Sequence, residues 1–133
     1  MIYVDVNVFV YWLGDDPVYG EQATEIISRI ERGERAVTST LSLWLTHVVL
    51  NSLAENFSEQ EFIDRIRGLI FLRIEPLNFE DFKEATALMK TYGLDLEDSL
   101  HLTTAMRLGA DRIISNDRDF DRTPIERVGF NIG

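Results

Sequence analysis

The sequence predicts a three-layer α/β/α fold: a parallel sheet of four or five short strands, covered by helices on both faces. Three observations carry this. Short apolar runs alternate with longer segments of helical periodicity, the pattern of a parallel sheet with crossover helices. Gly33, Gly93 and Gly109 each follow a periodic segment, where a helix needs a stop. Two of the apolar runs lead straight into acids, at the strand ends where such sheets hold ligands. A length of 133 residues with 45% apolar content suits a single domain over 1–133 with a sizeable core.

The elements follow in order. Ile2–Asp5 reads as a buried strand, and Val8–Leu13 as a short helix stopped by Gly14 and Pro17. Tyr19–Arg32 is a helix with Ala23, Ile26, Ile27 and Ile30 on one face. Ala36–Ser39 is the second strand. Leu43–Leu53 is an apolar helix broken at Asn56 or Phe57. Ser58 and Glu61 form a capping box for Glu59–Leu69. Phe71–Ile74 is the third strand, stopped by Pro76, and Asn78 with Asp81 caps a helix through Tyr92. Leu96–Leu108 is the last helix, Arg112–Ser115 the fourth strand and Val128–Asn131 a short edge strand.

Composition narrows the function. A net charge of -10, from 13 basic and 23 acidic residues, excludes a generic polyanion binder. A nucleic-acid partner would need a local basic patch or an oligomer. Lys83 and Lys90 are the only lysines, and the other basic residues are Arg, whose planar fork grips phosphate. There is no cysteine, which excludes thiolate metal sites and fits a reducing cytoplasm. No apolar run approaches the roughly 18 residues of a bilayer span. The expectation is a cytoplasmic chain without a leader or a membrane partner.

Asp5 ends the first strand, Asp117 follows the fourth, and Asp98 opens the last helix in "GLDLEDSLHLTTAM". Each has a local explanation: Asp5 as a helix cap, Asp98 as half of a capping pair with Asp95, Asp117 as a turn residue. Together they converge on one sheet edge if the first and fourth strands are neighbours. Two carboxylates ~5 Å apart repel by about 3 kcal/mol at an effective dielectric near 20. Three in one pocket raise their pKa values or recruit a cation. Oxygen-only ligands select a hard ion, Mg²⁺ or Mn²⁺. Such an ion binds phosphate oxygens and activates water, so the implied chemistry is phosphate-ester hydrolysis.

These residues also carry a family resemblance. "IYVDVNVFV" and "DSLHLTTAMRLGADRIISNDRDF" resemble the opening strand and closing signature of PIN domains, and the chain is most similar to the VapC-like toxins. The resemblance covers nearly the whole chain. It implies a metal-dependent endoribonuclease, an RNA substrate, a homodimer and a cognate antitoxin protein. Carried over residue by residue, it makes Asp5, Asp98 and Asp117 the catalytic and metal-binding acids, with Asn7, Ser39 and Asn116 in support. Arg65, Arg67, Arg118 and Arg122 are the candidates for phosphate contacts, while Arg29, Arg32 and Arg35 form another basic cluster.

One position departs from the family pattern. Aligning "VTSTLSLWLTH" places Leu45 where a Glu is usual. Ser42, one turn earlier, offers a hydroxyl without charge, and the nearest acid downstream is Glu55. Asp95, Glu97 and Asp119 are nearby acids that could compensate for the absent Glu, although each reads first as a capping or solvated residue. Leu45 therefore keeps a second reading open, a weakened or inactive PIN-fold binding module. A third, a haloacid dehalogenase-type phosphatase, has Asn7 where a second Asp is needed. His101 reads as packing near the pocket wall, His47 as structural or interfacial, and Trp12 and Trp44 as core or dimer aromatics. The apolar density of Leu41–Leu53, with Trp44 and Val48, predicts the homodimer face.

Overall fold

The structure is a computed structural model and describes residues 1–53 and 56–131. Its chain order is β1 (Ile2–Val4), α1 (Val6–Leu13), α2 (Gly20–Glu31), β2 (Ala36–Ser39), α3 (Thr40–Leu53), α4 (Glu59–Arg67), β3 (Leu72–Glu75), α5 (Phe79–Tyr92), α6 (Leu96–Arg107), β4 (Arg112–Ile114), a 3₁₀ turn (Arg118–Arg122) and β5 (Glu126–Val128). No helix among the described residues is long and apolar enough to cross a membrane.

All strand pairs are parallel, in the order β3-β2-β1-β4-β5. Strand order reverses beside β1, so the switch point lies between β1 and β4, whose registers match Val4 with Ile114. Period-two alternation divides the core. Ile2, Val4, Ala36 and Ile114 join α1, α2 and α4 through Val8, Phe9, Ile26, Ile27, Ile30, Phe62 and Ile66. Tyr3, Val37 and Ile113 face the other way, onto Leu88 of α5 and Leu102 and Ala105 of α6. The expected α/β/α layering is present, and the parallel sheet, expected to have four or five strands, has five.

Boundaries moved where caps or pairing overrode apolar pattern. Helix α1 starts at Val6, because the Asp5 carboxylate accepts from the Val6 N–H at 2.7 Å. Ser58 Oγ accepts from the Glu61 N–H, as expected of the α4 cap. Gly93 ends α5 with φ +66°, a conformation that favours glycine. The edge strand lies earlier than expected, at Glu126–Val128 and not Val128–Asn131. The Phe130 N–H leaves the ladder and donates to Asn116 Oδ1 at 2.9 Å, while the Phe130 ring is buried. Glu55 lies outside the described residues.

Candidate metal centre

The switch point positions the acids. Asp5 leaves β1 and is 8% exposed. Its Oδ1 caps α1, and its Oδ2 accepts from the Ser115 hydroxyl at 2.8 Å. The same Ser115 Oγ accepts from the Asp117 N–H at 3.0 Å, so one hydroxyl ties the ends of β1 and β4 together. Asp117 in turn caps the 3₁₀ turn, its Oδ1 accepting from the Asp119 N–H at 2.9 Å. Asp95 caps α6 by accepting from the Asp98 N–H at 2.8 Å, which leaves the Asp98 carboxylate uncommitted. Asp5 is thus the cap, and Asp117 the turn residue, that the sequence suggested, whereas of the Asp95–Asp98 pair only the Asp95 side chain caps α6.

One cleft is lined by Asp5, Asn7, Leu45, Asp95, Glu97, Asp98 and Asp117, with Val6 and Val49 as apolar wall. The three expected acids and position 45 meet there. The tightest carboxylate group is different: Asp98, Asp117 and Asp119 each offer an oxygen within 4.8 Å of the others. Asp119, read from sequence as a solvated residue, thus joins the cluster. Asp5 stands behind it with both oxygens already hydrogen-bonded. The donor set is all oxygen and fits a hard divalent ion.

Electrostatics agree with the geometry. Burial, followed by the Asp117 and Asp95 carboxylates, raises Asp98 to a pKa of about 7. Burial also pushes Asp5 upward, against the opposing pull of His101, Ser115 and the Val6 N–H. His101 is 1% exposed, and its Nδ1 lies 2.7 Å from the Tyr3 hydroxyl. Burial disfavours a charged ring there, but Tyr3, Glu97 and Asp5 outweigh it and hold the His101 pKa above its ordinary value. Glu97 Oε1 is 3.8 Å from His101 Nε2, an ion-pair distance longer than a hydrogen bond.

The remaining expected residues divide. Asn7 lines the cleft and is exposed. Ser39 is buried behind it, its Oγ 3.0 Å from the Tyr3 hydroxyl, and Asn116 anchors Phe130; both act on scaffold. Arg122 pairs with Asp119 at 3.2 Å, and Arg118 is exposed beside Asp117. Arg65 sits elsewhere, 4.5 Å over the Trp12 ring in a groove with Leu13 and Phe57, and Arg67 is exposed on α4. Arg29 and Arg32 pair with Glu34 and Glu25, which fits a solvated face. Ser115 was not singled out from sequence; its only signal was its place between a buried strand and Asn116-Asp117.

The PIN domain family model matches residues 2–126. No curated protein sequence matches the chain significantly. Among solved structures, Mycobacterium tuberculosis VapC20, a sarcin-ricin loop cleaving toxin, aligns at TM-score 0.72 and 15% identity, over 91% of this chain and 93% of that one. A chain of Rickettsia felis VapBC2 bound to a promoter DNA fragment aligns at 0.70 and 19%, over 97% and 98%. A toxin–antitoxin complex from Klebsiella pneumoniae aligns at 0.67 and 17%, over 95% and 99%. At these identities the solved structures speak for the fold. The family match gives no support to the haloacid dehalogenase alternative, and over nearly the whole of its length the chain belongs to the PIN domain family.

Proposed function

We propose that this chain is a divalent-metal-dependent endoribonuclease, the toxin of a toxin–antitoxin pair. The observation that carries the reading is the meeting of Asp98, Asp117 and Asp119 oxygens within 4.8 Å at the switch point. These three would hold Mg²⁺ or Mn²⁺. A bound ion of this kind supplies a Lewis acid and lowers the pKa of a coordinated water. Asp5 adds charge from behind and, through Ser115, fixes the spacing of the two strand ends. Asn7 lines the cleft mouth, where its amide can hydrogen-bond a substrate. Arg118 and Arg122, on the turn carrying Asp119, are the phosphate contacts nearest the acids.

Family membership and the toxin structures with the same fold support an RNA substrate and an antitoxin partner. The outward residues of α3 support a homodimer: Trp44 is 64% exposed and Val48, one turn on, 44%. Incubating the purified chain with assorted RNAs, with Mn²⁺, Mg²⁺ or chelator, tests the activity. Cleavage abolished by chelator and by Asp98→Asn is the expected result. Leu45 favours a second reading, an RNA- or protein-binding module of weak activity, because an apolar side chain lines the cleft where a fourth acid is usual. RNA binding without metal-stimulated cleavage is its signature.

A further inference from the structure

Glu97 has no place in the three-carboxylate cluster, yet it lines the same cleft as Leu45, Asp98 and Asp117. Its neighbour is unusual. His101 is buried, and its Nε2 has no hydrogen-bond partner. The other ring nitrogen is engaged: Nδ1 is 2.7 Å from the Tyr3 hydroxyl, and that hydroxyl is 3.0 Å from Ser39 Oγ. Nε2 carries a proton both when Tyr3 donates to Nδ1 of a neutral ring and when a protonated ring donates from Nδ1 to the Tyr3 oxygen. The nearest acid to that nitrogen is Glu97, with Oε1 at 3.8 Å. A buried, unpartnered donor costs free energy, whereas the Glu97 side chain is half-exposed and free to turn toward it.

We propose that Glu97 is the fourth carboxylate of this cleft, standing in for the acid absent at position 45 and positioned by the buried Tyr3–His101 pair. The inference rests on the metal-dependent reading above. Glu97 lies outside the oxygens that cluster within 4.8 Å, so it acts beyond the inner ligands. There its charge would favour a bound cation, and its oxygens would be free to accept hydrogen bonds from water in the cleft. Changing an outer partner of this kind typically costs about ten- to a hundredfold in metal affinity. His101 and Tyr3 are positioning residues. They supply one fixed donor to a side chain that would otherwise sample several rotamers.

The test is calorimetric titration of the full chain with Mn²⁺ alone, beside thermal melts. Glu97→Gln should weaken Mn²⁺ binding about tenfold with the melting temperature unchanged. Glu97→Asp, which keeps the charge but shortens the reach, should lose less. Leu45→Glu should restore affinity in the Glu97→Gln background. Tyr3→Phe should weaken Mn²⁺ binding in the wild type but not in the Glu97→Gln background, the non-additivity of a linked pair. ¹⁵N spectra should show the His101 ring responding to Mg²⁺ in the wild type and not in Glu97→Gln. Wild-type affinity in Glu97→Gln overturns the role of Glu97 and leaves the metal reading standing. Equal losses from Tyr3→Phe in both backgrounds overturn the positioning role. A wild-type chain that binds no Mn²⁺ overturns both this inference and the reading beneath it.

Discussion

Replacing Leu45 with Glu should tighten divalent-ion binding and raise RNA cleavage. The side chain lines the cleft beside Asp5, Asp98 and Asp117, and it packs partly against Val6, Val10 and Leu50. Repulsion between the new carboxylate and the acids is present with or without the ion, so it cancels from the affinity. What remains is attraction between one negative charge and a divalent cation, about 7 kcal/mol at ~5 Å and an effective dielectric near 20. An open cleft screens most of that and leaves about 1–3 kcal/mol, roughly ten- to a hundredfold in affinity. The metal-free protein should lose about 1–2 kcal/mol of apolar burial, plus the acid repulsion. Calorimetric Mn²⁺ titration and melts of both variants decide. Unchanged affinity, with the stability loss persisting at saturating metal, would mean that position 45 serves the core and not the cleft.

Four further outcomes follow. Asp98 is raised from 3.8 to about 7, so the folded state keeps a proton that the unfolded state releases between those values; stability of metal-free protein should fall as pH rises through that window. Melts of chelated protein across the window should show the fall, Asp98→Asn should remove it, and Mn²⁺ affinity should weaken below about pH 7 as protons compete. Asp5→Ala should cost about 2–3 kcal/mol by stranding the Val6 N–H and the Ser115 hydroxyl. Asp119→Ala should leave stability within about 0.5 kcal/mol and weaken Mn²⁺ binding, a contrast read by melts and calorimetry together. Trp44→Lys should convert a sedimenting dimer to monomer without lowering the melting temperature, and a wild-type monomer at micromolar concentration would reject the α3 interface.

The layering was legible because apolar period and helix stops agree along the chain. Ile2 and Val4 face one helical layer and Tyr3 the other, as strands buried on both sides must. The β1–β4 adjacency was legible only conditionally, since strand order depends on crossovers that no local pattern encodes. What escaped was set by caps and tertiary hydrogen bonds. Asp119 reads as a surface acid until the turn capped by Asp117 brings its carboxylate to Asp98. Ser39 reads as a cleft residue, yet it spends its hydroxyl on Tyr3. Glu97 reads only as one of three nearby acids until His101 is buried beside it, and that burial depends on packing against Tyr3 from another element. Arg65 illustrates the opposite failure: its charge suggests phosphate, and the fold stacks it on Trp12.

The proposed function stands or falls with the acid cluster as a divalent-cation site. Crystals soaked in Mn²⁺ and measured for anomalous scattering test it most directly. One strong peak is expected at about 2.2 Å from oxygens of Asp98, Asp117 and Asp119, with waters filling its open positions and Asp5 outside the inner ligands. A cleft without a peak at saturating Mn²⁺, or a peak bound elsewhere on the chain, would contradict it.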